Sequence, residues 1–266
     1  DGTFELYLSD RRNGYLDFPA NGLQAFNAHT LEPLWSRPDL QHSSPMPVIA
    51  DVFPGGPLEV VATKITRAGP LVLNAATGAT VPGYDYSTRR LPTHGTPTVH
   101  DIDGDGRMEY ITAASYPTSA PKNFIVFDLI SGVVDFQANY DIWTAWPPKA
   151  GDVTGDGRME ILVATGNQPD VVGDTADKSY PLLVYDMQYN LIDMIRMPNG
   201  TGQLTPARVY DTDNDGYNEV VVPGYYGKLM VYDTDAPTPN PAPRTWVQFY
   251  SEYRRGAAEY VRPPVP

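Results

Sequence analysis

The chain contains no cysteine, so no disulfide staples it and thiol chemistry is excluded, both as nucleophile and as metal ligand. It has no apolar run near the roughly 20 residues that a membrane-spanning helix needs. Basic residues are scarce, 19 Lys and Arg against 32 Asp and Glu, for a net charge of −13. Such a surface repels nucleic-acid phosphates, so no nucleic-acid partner is expected. Only four histidines are present, at positions 29, 42, 94 and 100. No nucleophile elbow, zinc motif or phosphate-cradling glycine loop appears. Helical periodicity is hard to find. With 27 prolines and 23 glycines in 266 residues, the composition favours many short strands joined by tight turns.

What the chain has instead is an acidic loop in three copies. The first is Asp101-Ile102-Asp103-Gly104-Asp105-Gly106-Arg107-Met108-Glu109. The second runs from Asp152 through Thr154, Asp156, Gly157 and Arg158 to Glu160, and the third from Asp211 through Asp213, Asp215, Gly216 and Tyr217 to Glu219. Side-chain oxygens recur at loop positions 1, 3, 5 and 9, with glycine at position 6 for the sharp turn. Hard cations such as Ca²⁺ take six to eight oxygens at roughly 2.3–2.6 Å. Four side chains, the backbone carbonyl at position 7 (Arg107, Arg158 or Tyr217), and a water or second carboxylate oxygen supply that number. The closing glutamate at position 9 and the strand-like residues after it separate this loop from an EF-hand, which closes at position 12 and continues as a helix. An Asp/Gly turn that binds nothing is the alternative, but three clusters of mutually repelling carboxylates argue for a cation. Three Ca²⁺ ions would offset about six of the negative charges. They are expected to be structural, tying hairpins together in a protein without disulfides.

A second register confirms the repetition. Short apolar strands end in Asn27, Asn74, Asp128, Asp186 and Asp233, at spacings of 47, 54, 58 and 47 residues. Asn or Asp at that place can bond the following turn backbone. A period of about 50 residues holding four strands points to propeller blades. The repeats divide as 1–44, 45–95, 96–146, 147–204 and 205–236, followed by a Pro-rich connector and tail over 237–266. The loop-like stretch from Asp51 to Glu59 has Phe53 and Gly55 where acids should stand, so no calcium is expected there. The N-terminus, Asp1-Gly2-Thr3-Phe4-Glu5, matches only the second half of a loop. Either upstream sequence completes the first blade, or it takes its missing strand from elsewhere, a neighbouring chain or the C-terminal tail.

These residues resemble the FG-GAP/VCBS repeat family, the calcium-loop propeller repeats of integrin α-subunit heads and many secreted microbial proteins. The match is strong over residues 101–109, 152–160 and 211–219 and partial over 1–5 and 51–59. The run from Trp246 through Phe249 to Arg254, Arg255 and Gly256 looks like a closing motif found after the last blade in microbial members. The resemblance implies an all-β propeller of about five four-stranded blades. It also implies Ca²⁺ on Asp101, Asp103, Asp105, Glu109, Asp152, Asp156, Glu160, Asp211, Asp213, Asp215 and Glu219. Thr154 departs from the pattern and weakens its site by one charge.

A calcium-dependent fold needs plentiful calcium, as outside the cell, so a secreted or surface location is expected, with any export signal already removed. No catalytic cluster appears, and a non-enzymatic role in adhesion or self-assembly is the leading expectation, with another copy, an extracellular protein or a glycan as partner. Trp143, Trp146, Tyr225 and Tyr226 sit between strands and are the candidate ligand-binding residues. Their alternative is to fill the wedge between blades. Other functions weighed are a carbohydrate-binding lectin using those aromatics, and a fragment of a polysaccharide lyase, some of which use calcium-loop propellers as scaffolds.

Overall fold

The computed structural model describes residues 4–9, 22–40, 47–64, 68–91, 97–113, 124–138, 147–165, 181–195, 206–223 and 229–238. They form five antiparallel sheets, each a meander of consecutive strands. Sheet one has three strands, β1 (Glu5–Ser9), β2 (Leu23–Asn27) and β3 (Pro33–Arg37). Sheet two has four, β4 (Val48–Ala50), β5 (Glu59–Thr63), β6 (Pro70–Asn74) and β7 (Thr80–Asp85). Sheet three is built from β8 (Thr98–His100), β9 (Glu109–Ala113), β10 (Phe124–Asp128) and β11 (Val134–Ala138). Sheet four holds β12 (Lys149–Gly151), β13 (Glu160–Ala164), β14 (Leu182–Tyr185) and β15 (Leu191–Ile195). Sheet five has three, β16 (Arg208–Tyr210), β17 (Tyr217–Pro223) and β18 (Leu229–Pro237). No helix of the described residues is long and apolar enough to cross a membrane.

The two central strands of each four-stranded sheet are apolar on both faces, and the period-2 alternation of side chains explains why. In β5, Val60 packs toward sheet one with Leu23 and Leu40, while Val61 packs toward sheet three with Tyr110 and Phe127. In β9 and β13 the same alternation recurs. Tyr110 faces sheet two, Ile111 meets Ile161 and Val163 of sheet four, and Leu162 meets Val220 and Val222 of sheet five. Four apolar clusters result, each joining one sheet to the next in sequence.

Polar bonds reinforce the same junctions. The Trp35 indole donates to the Ala75 carbonyl at 2.7 Å, and the Tyr86 hydroxyl donates to Leu129 at 2.9 Å. Gly78 belongs to the first of these junctions. Its φ is +69°, and a Cβ there would meet the Trp35 ring at 2.6 Å, so the turn needs glycine for both conformation and space.

The outward faces of the first and last sheets lack such cover among the described residues. Leu6 and Leu8 occupy the register positions of Val60 and Ala62, both buried in sheet two, yet are 41% and 48% exposed. At the other end Val231 pairs with Val221 as Val72 pairs with Val61, but Val231 is 47% exposed whereas Val72 is fully buried.

Candidate metal centre

Each acidic loop connects the first and second strands of its sheet, β8 to β9, β12 to β13, and β16 to β17. The backbone turns by left-handed residues at positions 4 and 6, among them Gly104 (φ 77°), Gly106 (φ 86°) and Gly216 (φ 94°). Asn214 takes position 4 of the third loop at φ 63°, which its short polar side chain tolerates.

Within this frame the carboxylates organise the loop itself. The position-1 aspartate accepts from the N–H groups of positions 4 and 6. Asp101 takes Gly104 at 2.8 Å and Gly106 at 3.0 Å, Asp152 takes Gly155 at 2.7 Å and Gly157 at 3.0 Å, and Asp211 takes Asn214 at 2.7 Å and Gly216 at 3.1 Å. The position-5 aspartate accepts from position 7 at 2.8 Å in all three loops. The closing glutamate pins the entry to the loop. Glu109 accepts from Ile102 N–H at 2.8 Å, Glu160 from Val153 at 2.8 Å, and Glu219 from Thr212 at 2.5 Å. Sheet two does likewise without the acidic set, since Glu59 accepts from Val52 at 2.9 Å and Phe53 at 3.3 Å.

A carboxylate oxygen has two lone-pair directions, so one bond to the backbone leaves acceptor capacity for a cation. Asp211, Asp213, Asp215 and Glu219 present oxygens within 4.8 Å of one another, and so do Asp101, Asp103 and Glu109. Burial pushes the Glu109 carboxyl up to about 8, and the charges of Asp103, Asp101 and Asp105 push the same way. A buried acid beside three others is short of positive charge, which a cation supplies. The donors are hard oxygens throughout, a set suited to hard cations rather than to soft or imidazole-seeking metals. The residues therefore fit a hard metal ion.

The three loops are not equivalent. In the first, the Arg107 guanidinium turns back onto Asp105, with Nε at 2.7 Å, and reaches Asp128 at 3.0 Å. Asp128 is the turn acid at the end of β10 and is only 2% exposed. This arginine lowers the Asp105 carboxyl below the usual range, chiefly by hydrogen bonding, and Asp105 is not among the three acids whose oxygens converge. In the third loop Tyr217 stands in place of the arginine, and Asp215 remains with its partners. In the second, Thr154 Oγ1 donates to Glu160 Oε1 at 3.2 Å instead of presenting a charge, while burial raises the Glu160 carboxyl. At Arg107 the sequence reading used only the backbone carbonyl and missed the side chain. The signal for it in the sequence is an arginine two residues after an aspartate. The aromatic candidates Trp143, Trp146, Tyr225 and Tyr226, and the closing-motif residues from Trp246 to Gly256, lie outside the described residues.

No family model matches the chain, nor does any curated protein sequence. Solved structures do. The C-terminal domain of PilY1 from Pseudomonas aeruginosa covers 84% of this chain and 53% of its own, at 12% identity and a TM-score of 0.50. BamB from Moraxella catarrhalis covers 79% and 52%, at 13% identity and a TM-score of 0.46. The V. cholerae biofilm matrix protein Bap1 covers 85% and 51%, at 13% identity and a TM-score of 0.39. The chain thus spans about half the length of each of these proteins. At such identities the likeness bears on the fold alone. Together with five successive antiparallel sheets, it makes this an all-β chain of the β-propeller class, with acidic loops able to hold a metal ion.

Proposed function

We propose that this protein is an extracellular, non-enzymatic module in which five propeller blades are stapled by about three structural Ca²⁺ ions, and that it works by adhesion or self-assembly. The observation that carries the reading is the pair of uncovered apolar faces at the two ends of the sheet succession. Phe4, Leu6, Leu8 and Leu34 are exposed on sheet one, and Tyr210, Leu229 and Val231 on sheet five. Every inner junction buries the corresponding faces, so among the described residues these two ends have the chemistry of a blade interface that no further sheet covers. Each presents a different surface, and contact between unlike surfaces of successive copies is head-to-tail, which builds rings or open filaments.

Calcium supports the reading through the hard-oxygen loops, and an extracellular setting supplies the ion at the concentrations a structural site uses. The test is light scattering with negative-stain microscopy in millimolar Ca²⁺, repeated after chelation. Ordered polymers that disperse on chelation are the expected result. A monomer at high concentration in both conditions overturns the assembly reading.

A further inference from the structure

The loop at residues 101–109 has a neighbour that its own sequence does not announce. Residues 186–190 form the turn between β14 and β15, one sheet further on. Tyr189 stands just before the residue that closes this turn, at φ 64°. The same place is taken by Gly78 in sheet two and Gly132 in sheet three, at φ 69° and 68°, and by Leu31 in sheet one at φ 59°. A left-handed tyrosine is strained where a glycine is not. Leu31 leaves its side chain 65% exposed, whereas that of Tyr189 is engaged.

That side chain crosses the junction. Its ring stacks on Phe136 of β11, with centroids 5.4 Å apart and planes 15° from parallel. It also packs against the cluster that contains Ile102, the residue between Asp101 and Asp103. Met187 of the same turn approaches Gly104, its Cε lying 3.6 Å from where a Cβ would stand. The turn of sheet four is thus laid against the acidic loop of sheet three. At the end of the ring, the Tyr189 hydroxyl oxygen is buried and has no hydrogen-bond partner. Buried polar atoms almost always have one, and a missing ion or water is a recognised reason for an exception. Burial first, and then the charges of Glu109 and Asp103, hold its proton on, which puts the loop carboxylates within electrostatic reach.

We propose that Tyr189 is a positioning residue for the cation site of the preceding sheet, its hydroxyl oxygen accepting a hydrogen bond from a water in the inner shell of the ion. Three side chains, Asp101, Asp103 and Glu109, converge there, and Asp105 is drawn off by Arg107, so waters must complete the shell. Occupancy of this site then fastens sheet four to sheet three, an effect that the other two acidic loops, which lack such a tyrosine among the described residues, do not share. The inference rests on the calcium reading above.

The test uses the full chain carrying Asp156→Asn and Asp213→Asn, which silence the other two loops. Calcium binding is followed by calorimetry, and Tb³⁺ binding by luminescence excited through tyrosine. Tyr189→Phe keeps the ring and its stack on Phe136 and removes only the hydroxyl. The expected result is a loss of about fivefold in Ca²⁺ affinity, the factor carried by one net hydrogen bond, with an unchanged melting temperature in chelator. Equal affinity in the Tyr and Phe forms overturns the proposal while leaving calcium binding intact. A parallel Asp103→Asn variant reports on the site itself. If the parent chain shows no binding that this change removes, the calcium reading fails, and the role of Tyr189 with it.

Discussion

Lys149 offers a sharp test of how the fourth and fifth sheets meet. It lies in β12 opposite Leu162, on the same face as Gly151. A Cβ on Gly151 would meet the Val209 side chain at 2.7 Å, so this face looks into the junction with sheet five. Among the described residues no carboxylate forms an ion pair with the Lys149 ammonium. Burial, and secondarily the positive charge of Arg208, pull its pKa down from 10.5 to about 8.

Each pH unit of such a displacement is worth about 1.4 kcal/mol, which sets an upper bound of about 3.5 kcal/mol on the cost of the charge. The side chain is partly exposed and its head can reach toward water, which reduces the realised cost to about 1–2 kcal/mol. Lys149→Met is therefore expected to stabilise the protein by about 1–2 kcal/mol at pH 7. The sign with pH follows from linkage. Between about pH 8 and 10.5 the folded wild type binds fewer protons here than the unfolded chain, so its stability rises through that window. The methionine form has no such rise, and its advantage should shrink toward zero by pH 10.5. Urea denaturation at saturating Ca²⁺, run at pH 7 and again above pH 10, measures both numbers. A Met variant no more stable than wild type at pH 7, or one whose gain is the same at both pH values, refutes the reasoning.

The three acidic loops should contribute unequally to calcium-induced stabilisation. In thermal melts with and without Ca²⁺, Asp213→Asn should lose most, Asp103→Asn less and Asp156→Asn least, because only the third loop brings four carboxylates together. Glu59 provides the calcium-free control. Glu59→Ala leaves two backbone N–H groups, of Val52 and Phe53, without their acceptor and should cost about 1–3 kcal/mol equally with calcium and with chelator. Leu8→Asp and Val231→Asp change exposed positions on the two uncovered faces. Either one should abolish sedimentation of large species and leave the melting temperature within about 2 °C of wild type, as for surface substitutions.

Much of the fold was legible because the chain states it several times over. The loop spacing placed the first hairpin of three sheets, and the Asn/Asp turn register placed the ends of β2, β6, β10 and β14 or the residue next to them, but not that of β18, which runs past Asp233 to Pro237 because its continuation pairs back with Tyr217. The closing glutamates were legible too, although their hydrogen bonds show a duty to the backbone that holds with or without a cation, as Glu59 demonstrates. What escaped the sequence differs from one repeat to the next. The reach of Arg107 to Asp128 joins two turns at the same end of one sheet, and the lean of Tyr189 onto Phe136 joins two sheets. Neither pairing has a counterpart at the same positions elsewhere among the described residues, so no periodic pattern could announce it. The uncovered end faces were hidden for a related reason. Leu6 and Val231 look like ordinary core positions, yet among the described residues no neighbouring sheet covers them.

The succession of the sheets has a consequence for how the chain reaches its native state. Every strand pairs with the strand before or after it, and every apolar cluster joins consecutive sheets. Each contact can therefore form once about two repeats of chain are available, and loop-closure entropy is met in small instalments rather than in one long-range step. A chain emerging N-terminus first can dock each new sheet on the one before it, so the growing edge stays short and little apolar surface waits unprotected. Vectorial emergence and sheet-by-sheet docking suit a protein that must fold without a disulfide to hold its place.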